Sequence, residues 1–122
     1  MINLVVLHGV LARPAALVEL PSGDRLVSLE VTVRRADGPA EPVPVSVPDP
    51  PAWASELDSG AEVVVLGRVR RRFFRAGGVT QSRTEVVASR LSRASARRQV
   101  GALVAEAARC LEKTGGTGRP EG

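Results

Sequence analysis

"AEVVVLGRVRRRFF" (61–74) is the stretch on which the fold turns. Its side chains alternate: Val63, Val65, Gly67, Val69, Arg71 and Phe73 fall on one face, and Leu66, Arg68, Arg70, Arg72 and Phe74 on the other. A period of two sustained over this length marks a β-strand, because successive side chains of a strand point to opposite faces. The first row reads as core-facing, with Phe73 anchoring its end. The second points outward, with Phe74 beside three arginines. "RAGGVTQS" (75–82) supplies a hairpin loop with paired glycines, and "SRTEVVASRL" (82–91) returns as the last strand, so the two halves make a long basic hairpin.

Upstream, the same period recurs between proline and glycine punctuation. "INLVVLHGVLARP" (2–14) is a first strand, with Gly9 the expected place for a bulge or bend. "PSGD" (21–24) is a turn, and "RLVSLEVTVRR" (25–35) sets Val27, Leu29, Val31 and Val33 against Ser28, Glu30, Thr32 and Arg34, as a half-buried strand does. "PVPVSV" (42–47) also alternates, but Pro42, Pro44 and Pro48 remove backbone donors and predict an edge strand or extended loop. "PPAWASELDSG" (50–60) predicts a helix of about two turns that packs Trp53 on the sheet.

Beyond Ser95 the period lengthens to that of a helix. Val100, Leu103, Val104, Ala107 and Leu111 line one side of "ARRQVGALVAEAARCLEK" (96–113), and Cys110 beside them reads as a small buried thiol. "TGGTGRPEG" (114–122) has no apolar content and predicts a disordered tail. The expected organisation is one all-β domain over residues 1–92, an amphipathic helix over 93–113 and a tail over 114–122. The domain is expected to hold five strands, with a short helix between the third and fourth.

A chain of 122 residues suits one domain, and with 43% hydrophobic but only 2% aromatic residues its core must be aliphatic. The net charge of +4 hides an asymmetry. Residues 1–67 carry four arginines against nine acids, residues 68–98 carry ten arginines against Glu85 alone, and residues 99–122 balance. Positive charge gathered in one stretch is the pattern of a surface aimed at a polyanion.

The residues offer no catalytic set. The one histidine, His8, sits among apolar neighbours and reads as structural or incidental, and the one cysteine excludes an internal disulfide and a thiolate metal cluster. Neither a catalytic nor a metal site is expected, and no cofactor. No apolar run approaches the roughly 20 residues that cross a bilayer, so the expectation is a cytoplasmic protein without membrane contact. What remains is a basic strand face with one outward aromatic. Arginines track phosphates, and a ring gives an unpaired base a stacking platform, a combination that suits single strands better than a duplex.

The order of elements resembles a five-stranded OB barrel, and the residues resemble the bacterial single-stranded DNA-binding protein family, as a divergent, actinobacterial-type paralogue. "NLVVLHGVLARPAALVELPSGDRLVSLEVTV" (3–33) is similar to the family's opening, and "SGAEVVVLGRVRRRFF" (59–74) with "SRTEVVASRL" to its close, Thr-Glu-Val-Val being the most specific piece. The resemblance covers residues 2 to 91. It implies single-stranded DNA as partner, without sequence preference, and assembly as a homodimer or homotetramer in replication or repair. Nothing in the residues reads a 2′-hydroxyl, so RNA stands beside DNA.

Phe74 falls where the family's hairpin carries a stacking tryptophan. With it, Arg68, Arg70, Arg72, Arg75, Arg83 and Arg34 form the candidate binding set. The aromatics that the family places near "PVPVSV" and after the second strand are missing here, which implies weaker and more electrostatic binding. The family's acidic, phenylalanine-ended C-terminal tip, which recruits repair enzymes, is also missing from a chain ending in "GRPEG". The alternative expectation is an OB-fold interaction or assembly module whose helix docks a partner, with weak or no nucleic-acid binding.

Overall fold

The structure, a computed structural model, describes residues 1–117, with side chains through Lys113. Alternating valine and leucine build six strands: β1 (Val5–Leu11), β2 (Ala16–Glu19), β3 (Arg25–Val33), β4 (Glu41–Pro48), β5 (Glu62–Ala76) and β6 (Val79–Arg93). A C-terminal helix, α1 (Arg97–Thr117), follows. The sheet order is β1-β5-β6-β4-β3-β2, and β1 also pairs with β3 through Val10 and Leu11. Pairing therefore returns on itself through five strands, and the sixth, β2, is an exposed four-residue addition to β3. That sixth strand corrects the expected count of five.

The core is aliphatic, as the composition requires. Val27, Leu29 and Val31 of β3 meet Val45 and Val47 of β4, Val63 and Val65 of β5, and Val86 and Ala88 of β6, all buried. Fully burying such a side chain contributes about 1.5–3 kcal/mol, so the cluster, more than any polar contact, holds the sheet closed. Trp53 packs half-buried against this cluster, with the Arg93 guanidinium 5.0 Å from its ring centroid.

Two expectations between β3 and β5 are corrected. β4 is interior: it pairs along its whole length with β3, and in parallel with β6 at Val45 and Ser46. Backbone N–H groups alternate sides along a strand, so the missing donors of Pro42, Pro44 and Pro48 all fall on one side. The full ladder to β3 and the two-residue bridge to β6 put that side toward β6, which the prolines keep short. The expected two-turn helix is a single 3-10 turn, Ala52–Glu56, without a side-chain cap at Pro51, and it buries Ala54.

Two glycines mark close approaches of backbone. A Cβ at Gly9 would run into the Thr32 carbonyl oxygen where β1 crosses β3, so Gly9 is a crossing point; β1 keeps an unshifted register with β5 on either side of it. The bulge lies elsewhere. Leu66 pairs with Arg90 but Gly67 with Ala88, so Ser89 is an extra residue in β6, and a Cβ at Gly67 would run into the Val87 carbonyl oxygen.

β5 is buried on both faces near its start. Val63 and Val65 enter the core, while Val64 and Leu66 lie under Leu103 and Ala107 of α1. Arg90 and Glu106, 2.5 Å apart, tie α1 to β6 at the rim of that contact. The buried stripe of α1 is narrower than expected: Leu103 and Ala107 are buried and Val100 half-buried, whereas Val104, Cys110 and Leu111 are exposed. A helix laid across two strands presents only its closest turn positions to them, which leaves Cys110 outside. The helix also continues past the expected end at Lys113, through Gly115 and Gly116 to Thr117. The rest of the expected disordered tail, 118–122, lies outside the described residues.

Candidate nucleic-acid interface

β5 and β6 outrun the sheet that supports them. β1 ends its pairing with β5 at Val5 opposite Gly67, and one side chain extends that ladder. Asn3 Nδ2 donates to the Val69 carbonyl oxygen (2.9 Å), and the Val69 N–H donates to Asn3 Oδ1 (2.8 Å), so an amide side chain stands in for the next pair of backbone groups. Past this point the hairpin has no third strand, and its two faces separate from the core. Val69, Arg71 and Phe73 do share the face of Val63 and Val65, as alternation predicts, but Phe73 is 64% exposed and anchors nothing. The expectation of a core-anchoring Phe73 fails because the core ends before the strand does.

Opposed residues of an antiparallel pair share a face, so the register assigns the remaining side chains. Arg68 pairs with Val87, Arg70 with Glu85, Arg72 with Arg83 and Phe74 with Gln81, and these form the outward face. Arg71 opposite Thr84, Phe73 opposite Ser82 and Arg75 opposite Thr80 form the other. On the outward face an open groove runs between the hairpin and the sheet. Arg70, Arg72 and Arg83 line one wall, and Ser28 of β3 with Pro44 and Ser46 of β4 the other. Phe74, 37% exposed, is next in the row beyond Arg72.

Charge in this groove is unbalanced. Glu85 is 6% exposed and ion-paired with Arg70. Arg72 and Arg83 face each other across the ladder, and neither they nor Arg68 have an acidic partner among the described residues. Like charges placed opposite one another cost stability, and an anion between them would remove that cost.

The structure brings together Arg68, Arg70, Arg72, Phe74 and Arg83 of the candidate set and separates the other two. Arg75 belongs to the opposite face and donates from Nη2 to the Gly78 carbonyl oxygen at the hairpin tip (3.1 Å). Arg34 lies in a different hollow, beside Thr32, His8 and Glu62. His8 is exposed, with its Nε2 and a Glu62 carboxylate oxygen 2.5 Å apart. Sequence reasoning missed Glu85 as part of the groove, although it is the one acid among residues 68–98, and missed the exposure of Phe73. Among the described residues no three metal-binding side chains gather, and no helix is long and apolar enough to cross a membrane.

A strand circuit closed through β1, with a hairpin projecting beside an outer groove, is the architecture of an OB-fold protein. No protein-family model matches the chain, nor does any curated protein sequence. Among solved structures, the wild-type single-stranded DNA binding protein from Thermus aquaticus is 30% identical, with a TM-score of 0.62. A deletion mutant of that protein is likewise 30% identical, at a TM-score of 0.63. Each match covers 75% of this chain and 40% of the other, so the chain spans well under half the length of its relative. The chain is related to the single-stranded DNA-binding protein family and shares its OB-fold. Both of these neighbours are single-stranded DNA binding proteins.

Proposed function

We propose that this chain is a five-stranded OB barrel, made by β1, β3, β4, β5 and β6, that binds single-stranded DNA without sequence preference along its outer groove. Arg70, Arg72 and Arg83 hold phosphates, Arg68 extends the track, and Phe74 stacks a base. The observation that carries this reading is the unrelieved Arg72–Arg83 pair, in the same row as Phe74 and open to the groove. A duplex keeps its bases stacked and has no use for the ring, whereas a single strand gains from both. The relatives named above support the same partner. Arg34, away from the groove, contributes long-range attraction only, and Arg75 lies outside the groove on the hairpin's other face.

Binding within the groove is modest, because one platform there replaces several and each stacked base contributes about 1–3 kcal/mol. The competing reading, a helix that docks a partner protein, loses its main support: Leu103 and Ala107 are already spent on Val64 and Leu66 of the same chain. Self-association fits better, since β1 from Val5 to Gly9 pairs only with β5 and exposes Val6.

The test is a fluorescence-anisotropy titration of a labelled 30-mer single strand at two salt concentrations, with duplex and RNA competitors. The proposal expects salt-sensitive binding that duplex competes poorly and that Phe74→Ala weakens about tenfold. Equal competition by duplex, or indifference to salt and to the ring, would overturn it.

A further inference from the structure

The groove leaves one part of the hairpin unused. Its opposite face presents Phe73, 64% exposed, with Arg71 and Arg75 two residues to either side in the same row and Ser82 and Thr84 across the ladder. Large apolar rings are not left in water in the middle of a basic strand for packing reasons, and this one has no core to pack against. The residues around it are of the same kinds as the outward row: guanidinium groups at strand spacing beside a ring. Arg71 has no acidic partner among the described residues, and Arg75 uses one donor on Gly78 and keeps others for a ligand.

We infer that this second face is a further single-strand contact, so that a strand leaving the groove at Phe74 crosses the hairpin and stacks again on Phe73, with Arg71 and Arg75 on its phosphates. The inference rests on the reading of the groove given above. Charge decides the occupant. Residues 68–84 hold six arginines and no acid, so a second copy of this hairpin would be repelled where a polyanion is attracted. A strand gripped on both faces is also harder to lose than one held in an open groove, because release must break two sets of contacts joined by the same chain.

The two faces are separated by strand length. A 6-mer occupies the groove alone, whereas a 30-mer, longer than the roughly 4–16 nucleotides that one OB fold occupies, reaches both faces. The experiment is anisotropy titration of labelled 6-mer and 30-mer thymidylate against wild type, Phe73→Ala, Phe73→Trp and Phe74→Ala, with sedimentation of each variant. Phe73→Ala is expected to weaken the 30-mer about tenfold and the 6-mer less than about twofold. Phe73→Trp is expected to keep the affinity and to show fluorescence quenching on adding the 30-mer. If Phe74→Ala weakens both oligomers while Phe73→Ala matches wild type on both, the second face is refuted and the groove stands. A change of oligomeric state in Phe73→Ala without loss of strand affinity also refutes it, in favour of a contact between copies. If wild type binds neither oligomer, the groove reading fails and takes this one with it.

Discussion

Arg72 of β5 and Arg83 of β6 stand directly opposite each other on the groove face, without an acidic partner among the described residues. A cross-strand pair of like charges is selected against where only stability matters. Replacing Arg83 with serine should therefore raise stability slightly, on the order of 0.2–0.5 kcal/mol at low salt, while weakening single-strand binding. It should also lower the slope of log affinity against log salt by about 0.7, the counterion release of one phosphate contact on a single strand. Thermal melting and a salt series read the two effects, and their opposite signs distinguish a binding residue from a structural one.

Glu85 sets a limit on the same groove. It is the one acid within the basic stretch, buried in the groove and paired with Arg70. Glu85→Gln keeps the shape and a hydrogen-bond acceptor but removes a charge that repels phosphate and holds Arg70 back. Single-strand affinity at low salt should rise severalfold, with the far-ultraviolet spectrum unchanged; a fall in affinity would mean that Glu85 positions Arg70 for binding.

Leu103 tests the division between fold and function. It is fully buried against Val64 and Leu66, on the part of β5 that α1 covers and the groove does not reach. Leu103→Ala should cost about 2–4 kcal/mol by denaturant melting, as cavity-forming changes do, and leave strand affinity within about twofold where the protein is folded. Lost binding in a folded Leu103→Ala protein would return α1 to the functional site.

Asn3 determines where the hairpin leaves the sheet. Its amide makes both hydrogen bonds with Val69 that a third strand's backbone would make. Asn3→Ala should cost about 1–2 kcal/mol, at roughly 0.5–1.5 per hydrogen bond, and speed amide exchange at Val69 ahead of residues in the core. Uniform exchange across β5 would show that the hairpin has no separate hinge at this position.

Alternation made β1, β3, β5 and β6 legible, because a strand with one buried face writes its period into the sequence. The same logic assigned Phe73 and Phe74 to opposite faces. Alternation does not mark where the core stops, since that depends on where β1 and β4 cease to pair with the hairpin, so it extends the core to Phe73, where the structure has none. The prolines of β4 predict an edge because sequence shows missing donors but not which side they face. Ser89 as a bulge and Gly9 as a crossing point are likewise properties of paired backbones. Arg34 and Arg75 joined the candidate set as charges near a strand, and only the folded positions separate them from the groove. Glu85, the partner of Arg70, is visible in the sequence as the one acid among residues 68–98.

The most direct test of the central claim is an NMR titration of the labelled protein with a short thymidylate strand, following each backbone amide. The account predicts the largest shifts at Arg70 to Phe74 and Gln81 to Val87, with smaller ones at Ser28 and Ser46 across the groove. Shifts confined to α1, or to the hollow around His8 and Arg34, would contradict it.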